Sequence, residues 1–221
     1  MSKKAFFPLL LFHSLLLTAQ NPEELLGTWT EVIGQNYISE KWSIPTTAIL
    51  QHYEVLDKFQ FILLRSGVNY HFSSKASAAV GYDYFYSEGI SGEMTNLQHR
   101  VWEELSLKSN FSAWNIGHRF RFESTWTRQE PEYSLAYRLR YRLKLEHPLY
   151  KKWYVTGFNE IFINLKEPVF NQNRLHLGVG YAFHPDLKFE LGYFKNHFRQ
   201  AHYDRIRIGI VFRTRMFSRK E

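Results

Sequence analysis

The chain has 221 residues, a formal net charge of +7 and no cysteine, so disulfides, thiolate metal sites and cysteine nucleophiles are excluded. Aromatic residues make up 18% of the chain although the mean hydropathy is only -0.39, and this combination favours a membrane β-barrel over a soluble sandwich. The cationic residues are spread along alternating segments and form no single basic stripe, which argues against nucleic acid as a partner.

The N-terminal residues have the three-part layout of a secretory signal peptide. A basic start, an apolar stretch and a small or short polar end occupy residues 3–4, 5–17 and 18–20. The apolar stretch is too short to cross a bilayer as a helix. We therefore predict a signal peptide at residues 1–20, cleaved after Ala19 or Gln20, and one exported domain at residues 21–221.

Most of the remaining chain alternates between apolar and polar residues, as β-strands do. In chain order the alternating segments are residues 27–38, 42–53, 61–72, 76–86, 97–107, 114–126, 133–146, 153–165, 174–183, 188–193 and 205–213. These eleven segments predict an all-β fold, a single antiparallel up-and-down transmembrane barrel of about 10–12 strands. Because bacterial single-chain barrels normally have an even strand number, two versions stay open. Either residues 27–38 lie partly outside the wall and leave ten strands, or a hidden crossing makes twelve.

The strongest alternation is at residues 133–146. Tyrosine and leucine occupy one face, and the other face carries Arg138, Arg140, Arg142, Lys144 and Glu146. At about 3.4 Å per residue this strand exceeds 40 Å, which suits a tilted membrane strand better than a strand of a soluble protein.

Turn signals separate the predicted strands in two alternating sets. Shorter signals lie at residues 39–41, 73–75, 108–110, 147–152 and 184–186. The other connections lie at residues 56–58, 89–95, 128–132, 166–172 and 196–203. This alternation predicts short periplasmic turns and longer outer loops.

Six short segments are similar to those of a known family. They are GTW at 27–29, ISEKWS at 38–43, LRSGVNY at 64–70, HRVWEE at 99–104, FNEIF at 158–162 and NQNR at 171–174. On these segments the chain resembles the DUF2490 group of outer-membrane proteins of Bacteroidetes-type bacteria. The resemblance implies an outer-membrane location, and it supplies no activity, substrate or catalytic residue.

If the apolar faces meet lipid, the charged faces must line the lumen, because a charge facing the lipid midplane costs about 2–4 kcal/mol. Ten arginines and five acids are then predicted to point inward: Arg65, Asp83, Arg100, Glu104, Arg119, Arg121, Glu123, Arg138, Arg140, Arg142, Glu160, Arg174, Glu190, Arg205 and Arg207. These long side chains predict a narrow or plugged barrel. They form either a structural core of arginine–carboxylate pairs or a lumen that selects anions, and the barrel serves as a channel, an adaptor or a structural component.

The sequence contains no motif that assigns an enzyme. It has neither a G-x-S-x-G elbow nor an H-E-x-x-H motif. His197, His202 and Asp204 could form a metal or acid–base cluster, but a solvated loop is the simpler interpretation. We predict no catalytic residue, cofactor or metal.

The expected partners are outer-membrane lipid and small anionic solutes, and the oligomeric state stays open. Two alternatives remain: a secreted, soluble lipocalin-like binder of an apolar ligand, and an outer-membrane lipid-modifying enzyme.

Overall fold

The computed structural model describes residues 25–129 and 132–217, so the predicted signal peptide lies outside the described residues. The described residues form eleven strands. They are β1 (Leu26–Tyr37), β2 (Trp42–Glu54), β3 (Asp57–His71), β4 (Ala76–Glu88), β5 (Met94–Phe111), β6 (Trp114–Gln129), β7 (Glu132–Pro148), β8 (Trp153–Asn164), β9 (Phe170–His184), β10 (Leu187–Phe198) and β11 (His202–Arg215). None of the described residues belongs to a helix long and apolar enough to cross a membrane.

The eleven strands close into one barrel. Each strand pairs antiparallel with the next in the chain, and β1 closes the barrel against β11 in a parallel pair. The parallel closure is a consequence of the odd strand number, because the first and last of eleven up-and-down strands point the same way. The expectation of ten or twelve strands is therefore wrong. Residues 26–37 belong to the wall, since β1 pairs along its length with both β2 and β11.

The strands are strongly staggered. Moving from Trp29 to its paired residue on β2, and from there through β3 and β4, leads to Asn96 on β5. Moving around the barrel in the other direction, through β11 to β6, leads to Asn110 on β5. The two end points differ by 14 residues, which is the stagger of the closed barrel. A stagger larger than the strand number tilts the strands by about 45°. With strands about 4.8 Å apart, the wall encloses a cylinder about 23 Å across.

The two ends of the barrel differ only slightly in their connections. One end, called the short-turn end, carries the connections at residues 38–41, 72–75, 112–113, 149–152 and 185–186. The other, called the loop end, carries the start of β1 and the described connections at residues 55–56, 89–93, 165–169 and 199–201. Residues 89–93 and 165–169 are the longest of these, so none of the described loops is long. The turn signal at residues 108–110 is strand instead, because Asn110 still pairs with Asn115 across the hairpin.

The outward face is apolar around the barrel. Exposed large apolar side chains occur on all eleven strands, among them Leu26, Leu50, Leu64, Val80, Leu105, Phe120, Leu139, Ile163, Leu177, Leu191 and Ile210. Outward aromatic rings cluster at the short-turn end, where Trp42 lies 4.8 Å from Tyr70 and Trp153 lies 4.9 Å from Tyr181. At the loop end Tyr86 stacks on Phe59. The outward surface is therefore an apolar band with aromatic residues toward both ends.

Candidate functional site: the lumen

The charged faces of the strands point into the barrel. The structure places all fifteen of the predicted arginine and acidic side chains on inward positions, where Asp83, Glu123 and Arg205 have no exposed surface at all. Strand alternation explains the placement, because each of these residues is separated by an even number of positions from the other inward residues of its strand. The lumen is thus filled by charged side chains on every strand from β3 to β11.

The first part of this network is a bridge from β3 to β5. Arg65 donates to both oxygens of Asp83, with Nε–Oδ1 at 2.7 Å and Nη2–Oδ2 at 2.5 Å. Arg100 approaches the same carboxylate at 3.4 Å. The bidentate geometry with Arg65 is the arrangement in which a guanidinium and a carboxylate bind most strongly.

Glu123 on β6 is the centre of the network. Its two oxygens accept from Arg138 and Arg140 on β7, each at 2.5 Å, and Arg121 and Arg100 lie 3.9 Å and 4.0 Å away. One fully buried carboxylate therefore lies within 4.0 Å of four arginines. A buried carboxylate in this position stabilises the fold by pairing with guanidinium groups. Without it each guanidinium would be an unpaired charge in a region of low dielectric constant.

Two further acids extend the network across β5 to β8. Glu160 accepts from Arg119 at 2.6 Å and from Arg140 at 2.8 Å. Glu104 accepts from Arg121 at 2.5 Å, with Arg119 3.6 Å away. Arg140 and Arg119 each contact two acids, and this sharing connects the separate pairs into one continuous arginine–carboxylate network.

A second cluster, called the Arg207 cluster, lies on the other side of the lumen. Arg207 donates through Nε to Glu31 at 2.8 Å and through Nη1 to Glu190 at 2.8 Å. Trp29 also donates to Glu31 at 2.7 Å, and Tyr154 donates to Glu190 at 3.0 Å. Both acids thus keep several donors, and the cluster ties β1 to β8, β10 and β11.

Sequence reasoning missed some members of this cluster. Glu31 was missed because residues 27–38 were considered a doubtful strand. Lys144 lies on the arginine face of β7 and contacts Glu190 at 3.6 Å and Glu146 at 2.8 Å. The alternation of residues 133–146 already placed Lys144 and Glu146 on that face, so that signal was available.

Aromatic rings support the arginines from the side. Trp102, 2% exposed, lies 4.5 Å from the guanidinium of Arg121. Phe162 has no exposed surface and lies 4.1 Å from the guanidinium of Arg140. Desolvated cation–π contacts of this kind contribute about 2 kcal/mol each.

One wall of the lumen is apolar. The buried side chains of Trp29, Ile49, Phe61, Leu63 and Phe194 form a cluster on β1, β2, β3 and β10. Within it the rings of Trp29 and Phe194 lie 4.5 Å apart. The interior of the barrel is therefore a mixed core, with an apolar wall facing the arginine-rich strands β5 to β9.

Three of the ten arginines bind no carboxylate among the described residues. Arg205 donates to Gln60 at 2.9 Å and to the carbonyl oxygen of Asp204 at 2.9 Å. Arg142 and Arg174 form no side-chain hydrogen bond or ion pair with any residue in the described ranges, and the Nε atom of each is buried without a partner.

The remaining space is small for a barrel of this width. A cylinder about 23 Å across and about 30 Å high would contain about 12,000 Å³. The cavity within it has a volume of about 1000 Å³, and its lining includes residues from both ends of the barrel. Side chains therefore narrow the lumen, and the remaining space extends toward both ends.

The three residues considered for a metal or acid–base cluster form no metal site. His197 and His202 lie opposite each other on β10 and β11, in strands and not in a solvated loop. Asp204 pairs with Lys195 at 3.3 Å and accepts a hydrogen bond from Tyr193. Among the described residues, no group of three or more histidine and acidic side chains could hold a metal ion.

Comparison with known proteins gives one match. Residues 26–207 match the family described as "Protein of unknown function (DUF2490)", a range that runs from the first residue of β1 into β11. No curated protein matches the chain, and no solved structure does.

Proposed function

The chain belongs to the DUF2490 family, and on that premise we propose that it is an outer-membrane β-barrel whose lumen is closed by its own arginine–carboxylate network. It acts as a membrane-embedded structural or adaptor protein, and it is not a diffusion pore. The observation that carries this proposal is the division between the two faces of the wall: exposed apolar side chains outside, interlocked charges inside.

The outward face supports a lipid environment. Monomeric soluble proteins rarely expose apolar patches larger than a few hundred Å², whereas here every strand carries exposed large apolar residues. Strands of 12 to 18 residues, tilted by about 45°, rise by about 28–42 Å, enough for the hydrocarbon core of about 30 Å.

The same division argues against the lipocalin-like alternative. A soluble binder of apolar ligands needs a polar outer surface and an apolar interior. This barrel has the reverse arrangement on β5 to β7, where Leu105, Phe120 and Leu139 are exposed and Arg121 and Arg140 are buried.

The first experiment measures conductance. The mature chain refolded in non-ionic detergent should show heat-modifiable migration on a gel. After insertion into a planar bilayer it should show no large, stable conductance steps. Recovery of a detergent-free soluble monomer would contradict the membrane location. Porin-sized steps would contradict the closed lumen.

A second experiment tests whether the wall spans the membrane. The chain has no cysteine, so single cysteines introduced by Ser74→Cys at the short-turn end and Ser91→Cys at the loop end give an unambiguous signal. A membrane-impermeant maleimide added to one side should label only one of the two variants. Equal labelling of both from the same side would show that the barrel does not cross the bilayer.

A further inference from the structure

Two arginines flank a glutamate in one row across three neighbouring strands. Arg142 on β7 pairs in register with Glu160 on β8, and Glu160 pairs in register with Arg174 on β9. Adjacent strands lie about 4.8 Å apart, so Glu160 is the nearest acidic residue for both arginines. The row would be expected to form an arginine–glutamate–arginine triad.

The triad does not form: neither Arg142 nor Arg174 has an ion pair with Glu160 within 4.0 Å. The Oε1 atom of Glu160 instead accepts from Arg119 at 2.6 Å and from Arg140 at 2.8 Å. Arg142 and Arg174 are left as partly buried cations, each with a buried Nε atom that has no hydrogen-bond partner inside the part of the chain that the structure describes.

Aromatic rings hold both guanidinium groups in place. The guanidinium of Arg142 lies 5.6 Å from the ring of Phe158. That of Arg174 lies 4.6 Å from Phe162 and 5.0 Å from Trp29. These contacts orient the cations and leave their N–H groups available, since an aromatic face accepts no conventional hydrogen bond. Both arginines also line the cavity in the lumen.

The cavity has a positively charged lining toward the short-turn end. Lys108 and Arg213 lie in its lining there, and neither has an acidic side chain within 4.0 Å among the described residues. Unpaired cations at a mouth raise the local concentration of anions and speed their entry. A solute entering from this end passes from exposed cations to the partly buried Arg142 and Arg174.

We propose that Arg142 and Arg174 form an oxyanion-binding site in the lumen, which takes the carboxylate, sulfate or phosphate group of a small solute. This inference rests on the proposed closed barrel, because a wide pore would hydrate both guanidinium groups. The planar fork of N–H donors on each arginine matches two oxygens of such a group. The anion supplies the hydrogen-bond acceptors that Glu160 does not offer to these two guanidinium groups, and the flanking rings exclude water from it.

The test measures anion binding to the refolded barrel in non-ionic detergent. Sulfate, inorganic phosphate and benzoate are titrated by calorimetry at constant ionic strength maintained with sodium chloride. Saturable binding is expected for the wild type, with affinity at least tenfold weaker in Arg142→Gln and in Arg174→Gln. Arg138→Gln is the matched control, because it removes an arginine that lies in the same lumen but is bound to Glu123; its affinity should change less than threefold.

A fourth titration uses dihexanoyl phosphatidic acid, a short lipid with a phosphate headgroup. Tighter arginine-dependent binding of this lipid than of inorganic phosphate identifies a headgroup as the source of the oxyanion, and the reverse order identifies a free solute. Equal affinity in the wild type and in the Arg142→Gln, Arg174→Gln double variant overturns the site.

The two proposals can fail separately. Each variant is also analysed for heat-modifiable migration and bilayer conductance, so a misfolded variant is recognised before its affinity is interpreted. A closed barrel whose anion binding ignores both arginines overturns the site alone. Arginine-dependent binding by a detergent-free soluble monomer overturns the membrane location alone.

Discussion

Arg140 and Arg142 are adjacent inward residues on β7, yet their environments differ in kind. Arg140 lies between Glu123 and Glu160 and donates to both, at 2.5 Å and 2.8 Å. Arg142 is paired in register with Arg119 on one side and with Glu160 on the other. Arg119 repels it and Glu160 binds other arginines, so Arg142 forms no ion pair with any of the described residues.

The comparison shows that the diagonal reach of the side chain, and not the residue directly opposite, separates structural arginines from available ones. In register Arg140 faces Arg121 and Phe162, yet it extends to Glu123 and Glu160, whereas Arg142 faces Glu160 and forms no ion pair with it. The same division separates Arg207 from Arg174. Arg207 binds Glu31 and Glu190, whereas Arg174 forms no ion pair with any described acidic residue. The lumen therefore contains a compensated framework and a few uncompensated cations.

The largest expected effect comes from removing the centre of the compensated framework. Glu123→Gln leaves Arg138 and Arg140 without their common carboxylate, and it should lower the free energy of unfolding by about 3–5 kcal/mol, as for other broken buried ion pairs. Urea titration of the refolded barrel in detergent measures the loss.

The control for this variant is Glu103→Gln. Glu103 faces outward on β5, between the exposed residues Val101 and Leu105, where its carboxylate forms no ion pair with a described residue and meets the apolar band. Its neutralisation should leave the stability unchanged or raise it. Equal losses in the two variants would show that the inward network is not what stabilises the wall.

Opposite signs are expected for Arg140→Gln and Arg142→Gln. Loss of Arg140 leaves two buried carboxylates with fewer donors and should cost about 1.5–3 kcal/mol, the range for hydrogen bonds to charged groups. Loss of Arg142 removes a partly buried cation that faces Arg119, so the unfolding free energy in chloride buffer without sulfate, phosphate or carboxylate should stay equal or rise. The same urea titration measures both, and a loss in Arg142→Gln as large as in Arg140→Gln would erase the distinction between the two classes.

Much of the fold could be predicted from alternation. Residues 133–146 have one apolar and one charged face, and β7 presents those faces outward and inward as this pattern requires. The eleven segments also correspond to the eleven strands. The strand number was not predicted, for two reasons. Bacterial single-chain barrels normally have an even number of strands, and the alternation of β1 is weak because Thr28, Thr30 and Gly34 occupy outward positions.

The division among the arginines could not be predicted. Alternation places a side chain on a face, but it does not say which residue of the next strand lies opposite. Even the register would not predict the division, since both Arg140 and Arg142 face an arginine on β6 and only Arg140 extends to two acids. The turn signal at residues 108–110 would also have given a different pairing of β5 with β6.

A smaller effect is expected from the aromatic support beneath the paired arginines. Gly81 lies under the indole of Trp102, where an added Cβ would lie 2.3 Å from Cζ2. Gly81→Ala should displace the ring on which Arg121 stacks and cost about 1–3 kcal/mol. Gly117 also faces inward, but its added Cβ would meet nothing closer than 3.8 Å, and Gly117→Ala should gain about 0.4–1 kcal/mol by restricting the unfolded chain. Thermal midpoints and Trp fluorescence report both changes, and the expected difference fails if the two variants shift together.

The smallest effect is expected for an ion pair outside the lumen. Asp186, in the turn between β9 and β10, accepts from Arg215 at 2.7 Å, and this hydrogen bond lowers the pKa of the Asp186 carboxyl below its usual value. A lowered pKa stabilises the folded state at pH values above the usual aspartate pKa, near 3.9. This contribution disappears as the pH falls through the lowered pKa. Arg215 is exposed, however, so solvent screens the pair. The thermal midpoint of Asp186→Asn should thus lie barely below that of the wild type at pH 7 and coincide with it in strong acid. A shift at pH 7 as large as that of Glu123→Gln would mean that burial does not determine how much an ion pair contributes to this barrel.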